Sequence, residues 1–312
     1  MKEKTSCQLN GERSTIMPSL TGRWLHKQLK LVKPILKRLD ISEDRALQDR
    51  LGELGAKALK SKVRYENVQF AHFEAEWTIP VKVSDKRGIL YLHGGGYTVG
   101  SLGYARGFGS LLAVKAGQRT LCVAYRLAPE NKFPAALEDA LCAYEHMLKN
   151  GYTPGQISIV GESAGGGLAF CLIHALKARN TPLPACVIGI SPWTDLTFSG
   201  CSYETNREND PTLSEESLRY YADLYAEIDV KNPMVSPIYG DLSRFPPSLL
   251  FAGEDELLLD DALMLYNRLI ESGSACELHT ARGMWHVYVL YNIREAKNAR
   301  ERIMTFIDEN TR

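Results

Sequence analysis

The sequence predicts an α/β fold, a mostly parallel sheet covered by helices on both faces. Three observations carry this. Eight short β-rich runs follow residue 64, several of them continuously apolar, as in strands buried on both faces. Helix-length segments alternate with the later runs. The 312 residues, 45% hydrophobic and 24% charged, suit one large domain with inserted segments and exclude a disordered chain, a collagen or a coiled coil.

The elements follow in order. Residues 1–64 hold 15 Lys/Arg and 7 Asp/Glu, a net charge of +8 that offsets −8 in the remainder. Within this leader, Leu20, Trp24, Leu25, Leu29, Val32, Leu36 and Leu39 recur at helical spacing, with Arg23, Lys27, Lys30, Lys33, Lys37 and Arg38 between them. A helix from Leu20 to Asp40 is expected, broken or kinked at Pro34. It reads as a covering helix with a solvated basic face, although a basic amphipathic helix also suits a membrane surface. A second helix is expected over Glu43–Lys60, with Ser42 as its N-cap.

Strands are expected at Tyr65–Phe70, Ala75–Val83, Gly88–Leu92, Thr120–Tyr125, Ile157–Val160, Ala185–Ile190, Ser248–Phe251 and Ala275–His279. Helices are expected at Tyr104–Ala116, Pro134–Lys149, Ser163–Arg179, Leu257–Ser272 and Val287–Glu309. The polar segment Thr197–Asn232, with 8 acidic and 3 basic residues, interrupts the alternation and reads as a helical insertion.

The seven cysteines are widely spaced with no C-x-x-C, so they read as reduced and mostly buried thiols rather than as disulfides or a zinc site. Balanced charge argues against a chain-wide nucleic-acid footprint. The N-terminus is polar and no apolar run approaches the ~18 residues of a membrane span, so stable membrane insertion is not expected and the cytoplasm is the default location.

The chemistry concentrates in two glycine-rich turns. Gly161-Glu162-Ser163-Ala164-Gly165 fits G-x-S-x-G, placed between a strand and an apolar helix. There the glycines permit a turn tight enough to project a nucleophilic serine from the carboxyl edge of a sheet. A serine hydroxyl also needs a base and an oxyanion stabiliser. His93-Gly94-Gly95-Gly96 directly follows a strand, and N–H groups of Gly94, Gly95 and Gly96 with that of Ala164 form a candidate oxyanion hole. A phosphate cradle is excluded, because neither G-x-x-x-x-G-K-[ST] nor G-x-G-x-x-G occurs.

These motifs, with Tyr125-Arg126-Leu127-Ala128-Pro129-Glu130 and Phe133-Pro134-Ala135-Ala136-Leu137-Glu138-Asp139, resemble the hormone-sensitive-lipase-like branch of the α/β hydrolases from about Lys86 to Ile307. Ser191-Pro192-Trp193-Thr194-Asp195-Leu196 resembles a subgroup of small bacterial carboxylesterases that includes some monoterpene lactone hydrolases. The resemblance implies an α/β-hydrolase fold with an eight-stranded, mostly parallel sheet and a helical cap. It implies a serine carboxylesterase that needs no cofactor or metal.

That fold orders its triad as serine, acid, histidine. Of the seven histidines only His286 lies in the last loop, where Val287-Tyr288 follow it as in the family's H-x-[FY] pattern, so it is the expected base. The acid lies in Gly253-Glu254-Asp255-Glu256. Matching the family's D-P-L-x-D by the register of the following helix selects Glu256, and matching by residue type selects Asp255. Asp260 and Asp261 read as acids of a helix N-terminus. Glu162 stands where many relatives have Asp, which is expected to change hydrogen bonding around the turn.

The resemblance makes residues 1–64 and 197–232 two parts of a cap on the body 65–312, with opposite charges expected to attract across the entrance. Tyr97, Trp193 and Trp285 are candidate walls of an apolar pocket. A covered serine favours short, uncharged acyl esters. A lactone hydrolase or an amidase fits the same triad, and a non-catalytic ligand receptor on this fold is the reading from another class. The resemblance also leaves a homodimer open.

Overall fold

The computed structural model describes residues 12–13, 17–36, 40–83 and 86–312, so Cys7 and the residues 37–39 of the expected first helix lie outside it. All eight expected strands are present: β2 (Val63–Gln69), β3 (Glu74–Pro80), β4 (Gly88–Leu92), β5 (Arg119–Ala124), β6 (Ile157–Glu162), β7 (Cys186–Ile190), β8 (Ser248–Gly253) and β9 (Cys276–Ala281). A two-residue strand from the leader, β1 (Glu12–Arg13), pairs parallel with β9. The sheet order is β1-β9-β8-β7-β6-β4-β5-β3-β2, parallel from β1 to β5 and antiparallel for β3 and β2.

Successive strand residues feed two cores. Leu90 and Leu92 of β4 face the core built with α4 (Ala135–Lys149), α5 (Ala164–Ala178) and α8 (Leu259–Glu271). Ile89 and Tyr91 face the core built with α3 (Leu102–Ala116) and α9 (Arg294–Asn310). Burial on both faces explains why central strands such as β4 are continuously apolar. The last helix starts later than the sequence suggests. Residues 287–293 make a 3₁₀ turn and a loop instead, because Val287 takes a left-handed backbone, φ 51°, that a helix cannot contain.

The leader forms α1 (Leu20–Leu36) and α2 (Ile41–Lys57). Pro34 sits inside the last turn of α1, which continues to Leu36. The N-cap of α2 is Asp40, not Ser42: its carboxylate accepts the Glu43 N–H and the Glu43 carboxylate accepts the Asp40 N–H. Such a reciprocal cap stabilises a helix start by about 1 kcal/mol. α2 lies directly on α3, where side chains at Gly52 and Gly107 would collide with the facing backbone. The insertion is more loop than helix, containing the single turn α6 (Ser202–Thr205) and α7 (Glu215–Tyr225).

Six described cysteines are free thiols. Cys122, Cys171 and Cys186 are buried as expected, and Cys142 and Cys201 are exposed. Among the described residues no helix is long and apolar enough to cross a membrane.

Candidate active site

Ser163 stands between β6 and α5 at φ 52°, ψ −123°, a backbone region that strains a residue with a side chain by about 1–3 kcal/mol. Neighbouring glycines make the turn possible. A Cβ at Gly165 would strike the carbonyls of Leu92 and His93, and one at Gly161 would strike Gly165. The serine therefore emerges at the carboxyl edge of the sheet, and Ala164, next in the chain, presents its N–H as the first residue of α5.

His286 arrives from the loop after β9. Its Nε2 lies 2.9 Å from Ser163 Oγ. Its Nδ1 lies 3.8 Å from Glu256 Oε2, an ion-pair separation with no hydrogen bond formed. Glu256 is fully buried, and its carboxylate accepts the Ser191 hydroxyl at 2.7 Å. That hydroxyl in turn accepts the N–H of Val287, beside His286, at 2.9 Å. Burial pushes the Glu256 carboxyl well above its ordinary value, against the pull of the Ser191 bond, and pushes the His286 imidazole down to about 3. Asp255 points elsewhere: its carboxylate lies 3.3 Å from His26 Nε2 of the leader.

The His93–Gly96 loop faces Ser163, and one part of the expected donor set changes. The N–H of Gly94 is bound to Glu162 Oε1 at 2.7 Å, so it is turned away from the space an oxyanion would occupy. The same carboxylate oxygen accepts the hydroxyls of Tyr91 and Tyr104 at 3.1 and 2.9 Å. Glu162 thus ties the nucleophile turn to this loop. Gly95 and Gly96 take φ of 108° and 59°, which glycine adopts without cost. With Ala164 they remain the candidate donors. His93 is buried, pushed down to about 4 by that burial, stacked on Tyr125 at 4.3 Å, and bound through Nδ1 to the Gly94 carbonyl. It shapes the loop.

All three candidate aromatics are fully buried core residues. Tyr97 and Trp193 are fully buried on the α5 side of the sheet, with ring centroids 6.2 Å apart, and Tyr97 stacks on Tyr225 of α7. Trp285 belongs to the opposite core, packed edge-on against His26 and Tyr291, which makes it a core aromatic and not a pocket wall. Asp260 and Asp261 stand in the first turn of α8 as expected, and also accept backbone N–H groups from Ser202, Thr194 and Asp195.

Sequence reasoning assigned no role to Ser191, Asn206, Asp210, Tyr221 or Arg45, all of which hold this site. Asn206 donates to the carbonyls of Glu254 and Glu256, and Asp210 accepts the N–H of Leu257. Arg45 donates to the carbonyls of Thr98 and Ala128 just behind the glycine loop. The leader and the insertion meet, through Lys33 on the Asp210 carbonyl and through the Tyr221 hydroxyl 3.4 Å from Asp44. Arg45 of the leader also pairs with Glu130 of the body. Ser163 and His286 are 8% and 5% exposed, so the site is nearly sealed. Two surface grooves of about 420 and 410 Å³ contain no residue of this cluster.

The family described as alpha/beta hydrolase fold matches residues 89–290. An acetyl-hydrolase of Streptomyces hygroscopicus is 39% identical over 253 residues, covering 81% of this chain and 82% of the relative. A crystal structure of an esterase from the bacterial hormone-sensitive lipase family superposes with a TM-score of 0.88 at 35% identity, covering 94% of this chain and 99% of that one. A crystal structure of EstE5 soaked with p-nitrophenyl butyrate superposes with a TM-score of 0.86 at 31% identity, with the same coverage.

Proposed function

Because this chain belongs to the α/β-hydrolase family, among the esterases related to hormone-sensitive lipase, and is a carboxylic ester hydrolase, we propose that it cleaves short-chain acyl esters with Ser163, His286 and Glu256 as its triad. The observation that carries this reading is the 2.9 Å contact between His286 Nε2 and a serine held at a strained turn. Ser163 Oγ attacks the ester carbonyl while His286 takes its proton. The N–H groups of Gly95, Gly96 and Ala164 stabilise the oxyanion, and Glu256 offsets the imidazolium. His286 then protonates the departing alcohol. Water, activated by the same imidazole, releases the acyl group.

Acetyl to butyryl groups are the proposed acyl range. The near-sealed serine supports this, as do an acetyl-hydrolase relative and a neighbour soaked with a butyryl ester. We read residues 1–64 and 197–232 as a discontinuous cap, supported by their mutual contacts. A reducing compartment such as the cytoplasm suits the free thiols.

The test is a chain-length series of aryl esters with the Ser163→Ala control, beside labelling by a fluorophosphonate probe. Activity peaking on acetyl to butyryl esters and labelling lost in Ser163→Ala are expected. Peak activity on long-chain esters overturns the substrate range, and hydrolysis retained in Ser163→Ala overturns the nucleophile.

A further inference from the structure

Helix α1 carries two apolar faces. Leu25 and Leu29 pack inward against the core that holds Trp285. Leu20, Trp24, Leu31 and Ile35 point outward and are 61–77% exposed. At 3.6 residues per turn, these four share an arc of about 60°. Arg23, Lys27 and Lys30, all exposed, follow along one flank of that arc. A stripe of large apolar side chains in water is costly, and one rimmed by a single sign of charge marks a contact surface.

We propose that the outer face of α1 docks the protein on an anionic lipid bilayer. Leucine and isoleucine side chains would enter the boundary between headgroups and acyl chains, and the Trp24 ring would sit at headgroup level. The basic flank would meet lipid phosphates. The exposed Arg23, Lys27 and Lys30 give this face a positive field that favours a negative surface. The inner side of α1 stays fixed meanwhile. Ser19 at its start is bound to Glu295, and His26 lies against Asp255 and Trp285, so docking requires no detachment from the body. An antiparallel second copy on the same stripe would oppose basic flank to basic flank, which disfavours self-association as its use.

The experiment is co-sedimentation of the full chain with vesicles of phosphatidylglycerol and phosphatidylcholine in equal parts, and with phosphatidylcholine alone. Tryptophan emission is followed in parallel. Of the four tryptophans, Trp77, Trp193 and Trp285 are buried, so a blue shift reports Trp24. Binding to the anionic vesicles with a blue shift is expected. Binding should fall as salt rises from about 0.1 M to about 1 M, which shortens the screening length from about 10 Å to about 3 Å. The pair Trp24→Ser with Leu31→Ser and the pair Lys27→Glu with Lys30→Glu should each weaken binding about tenfold or more. Thermal melting checks that both pairs fold. If the first does not, Leu20→Ser with Ile35→Ser replaces it, read through Trp24 emission. The proposal is overturned by absent binding, or by binding that ignores lipid charge and both pairs. A dimer that the apolar pair splits, without vesicle binding, also overturns it and assigns the stripe to a second copy.

Discussion

Ser191 links the two loops on which the proposed triad depends. Its φ of 47° at the end of β7 aims one hydroxyl at both the Glu256 carboxylate and the Val287 N–H. Ser191→Ala leaves that half-buried N–H without its hydroxyl partner and removes the hydroxyl that Glu256 accepts, at a cost of about 1–3 kcal/mol. We expect kcat to fall about ten- to hundredfold with KM little changed, measured on a soluble aryl ester. The acid itself is tested by comparing Glu256→Gln with Asp255→Asn. The first should lose orders of magnitude in kcat, and the second should stay near wild type because Asp255 faces His26. The pH profile adds a sign. Burial disfavours the imidazolium of His286, and an ionised Glu256, 3.8 Å from Nδ1, opposes that effect. Replacing Glu256 by Gln removes that opposition and moves the acidic limb of kcat/KM to lower pH. A limb that stays in place or moves up contradicts the pairing.

At the scale of elements, the insertion grips the loop that carries Glu256. Asn206 binds the carbonyls on either side of Asp255, the Ser202 hydroxyl binds the Leu257 carbonyl, and Asp210 binds the Leu257 N–H. Asn206→Ala should therefore lower kcat and shift the acidic limb, while a merely structural loss would lower the melting temperature and leave the limb where it was. These links were invisible in the sequence because each joins residues about 50 positions apart by a single side chain, with no periodicity to mark it. Local pattern was legible. The strand runs were β-rich, several of them continuously apolar, and the G-x-S-x-G and glycine-run spacing identified the turn and the loop. Register also favoured Glu256, because a one-residue slip would rotate Leu263, Leu265 and Leu269 of α8 out of the core they fill. The start of α2 was misread at Ser42 because Asp40 offers an equal oxygen two residues earlier, and only the reciprocal bond with Glu43 separates them. Gly94 was misjudged for a related reason: a glycine's exposed N–H does not reveal that Glu162 will reach it.

Over the whole molecule, leader, insertion and body converge on Tyr221. Its hydroxyl reaches Asp44 of α2, and its ring covers the glycine loop so closely that a Cβ at Gly96 would lie 2.6 Å from it. Opposite net charges suggest attraction between leader and insertion, and contacts between them among the described residues include the Tyr221 hydroxyl on Asp44 and Lys33 on the Asp210 carbonyl. Surface charge pairs contribute about 0–1 kcal/mol each, whereas the half-buried Tyr221 ring occupies space against the glycine loop, so we propose that it limits what fits above the proposed oxyanion donors. Tyr221→Phe removes only the bond to Asp44 and should leave the acyl-chain preference unchanged. Tyr221→Ala removes the ring over Gly96, opens room for a longer acyl chain and admits water. Its kcat/KM optimum on aryl esters should therefore move from the acetyl–butyryl range toward longer chains, with a lower rate on the shortest ester. An optimum that Tyr221→Ala leaves in place would mean that acyl length is set on the body side of Ser163, by Tyr97 and Trp193, and that the insertion seals the site without selecting its substrate.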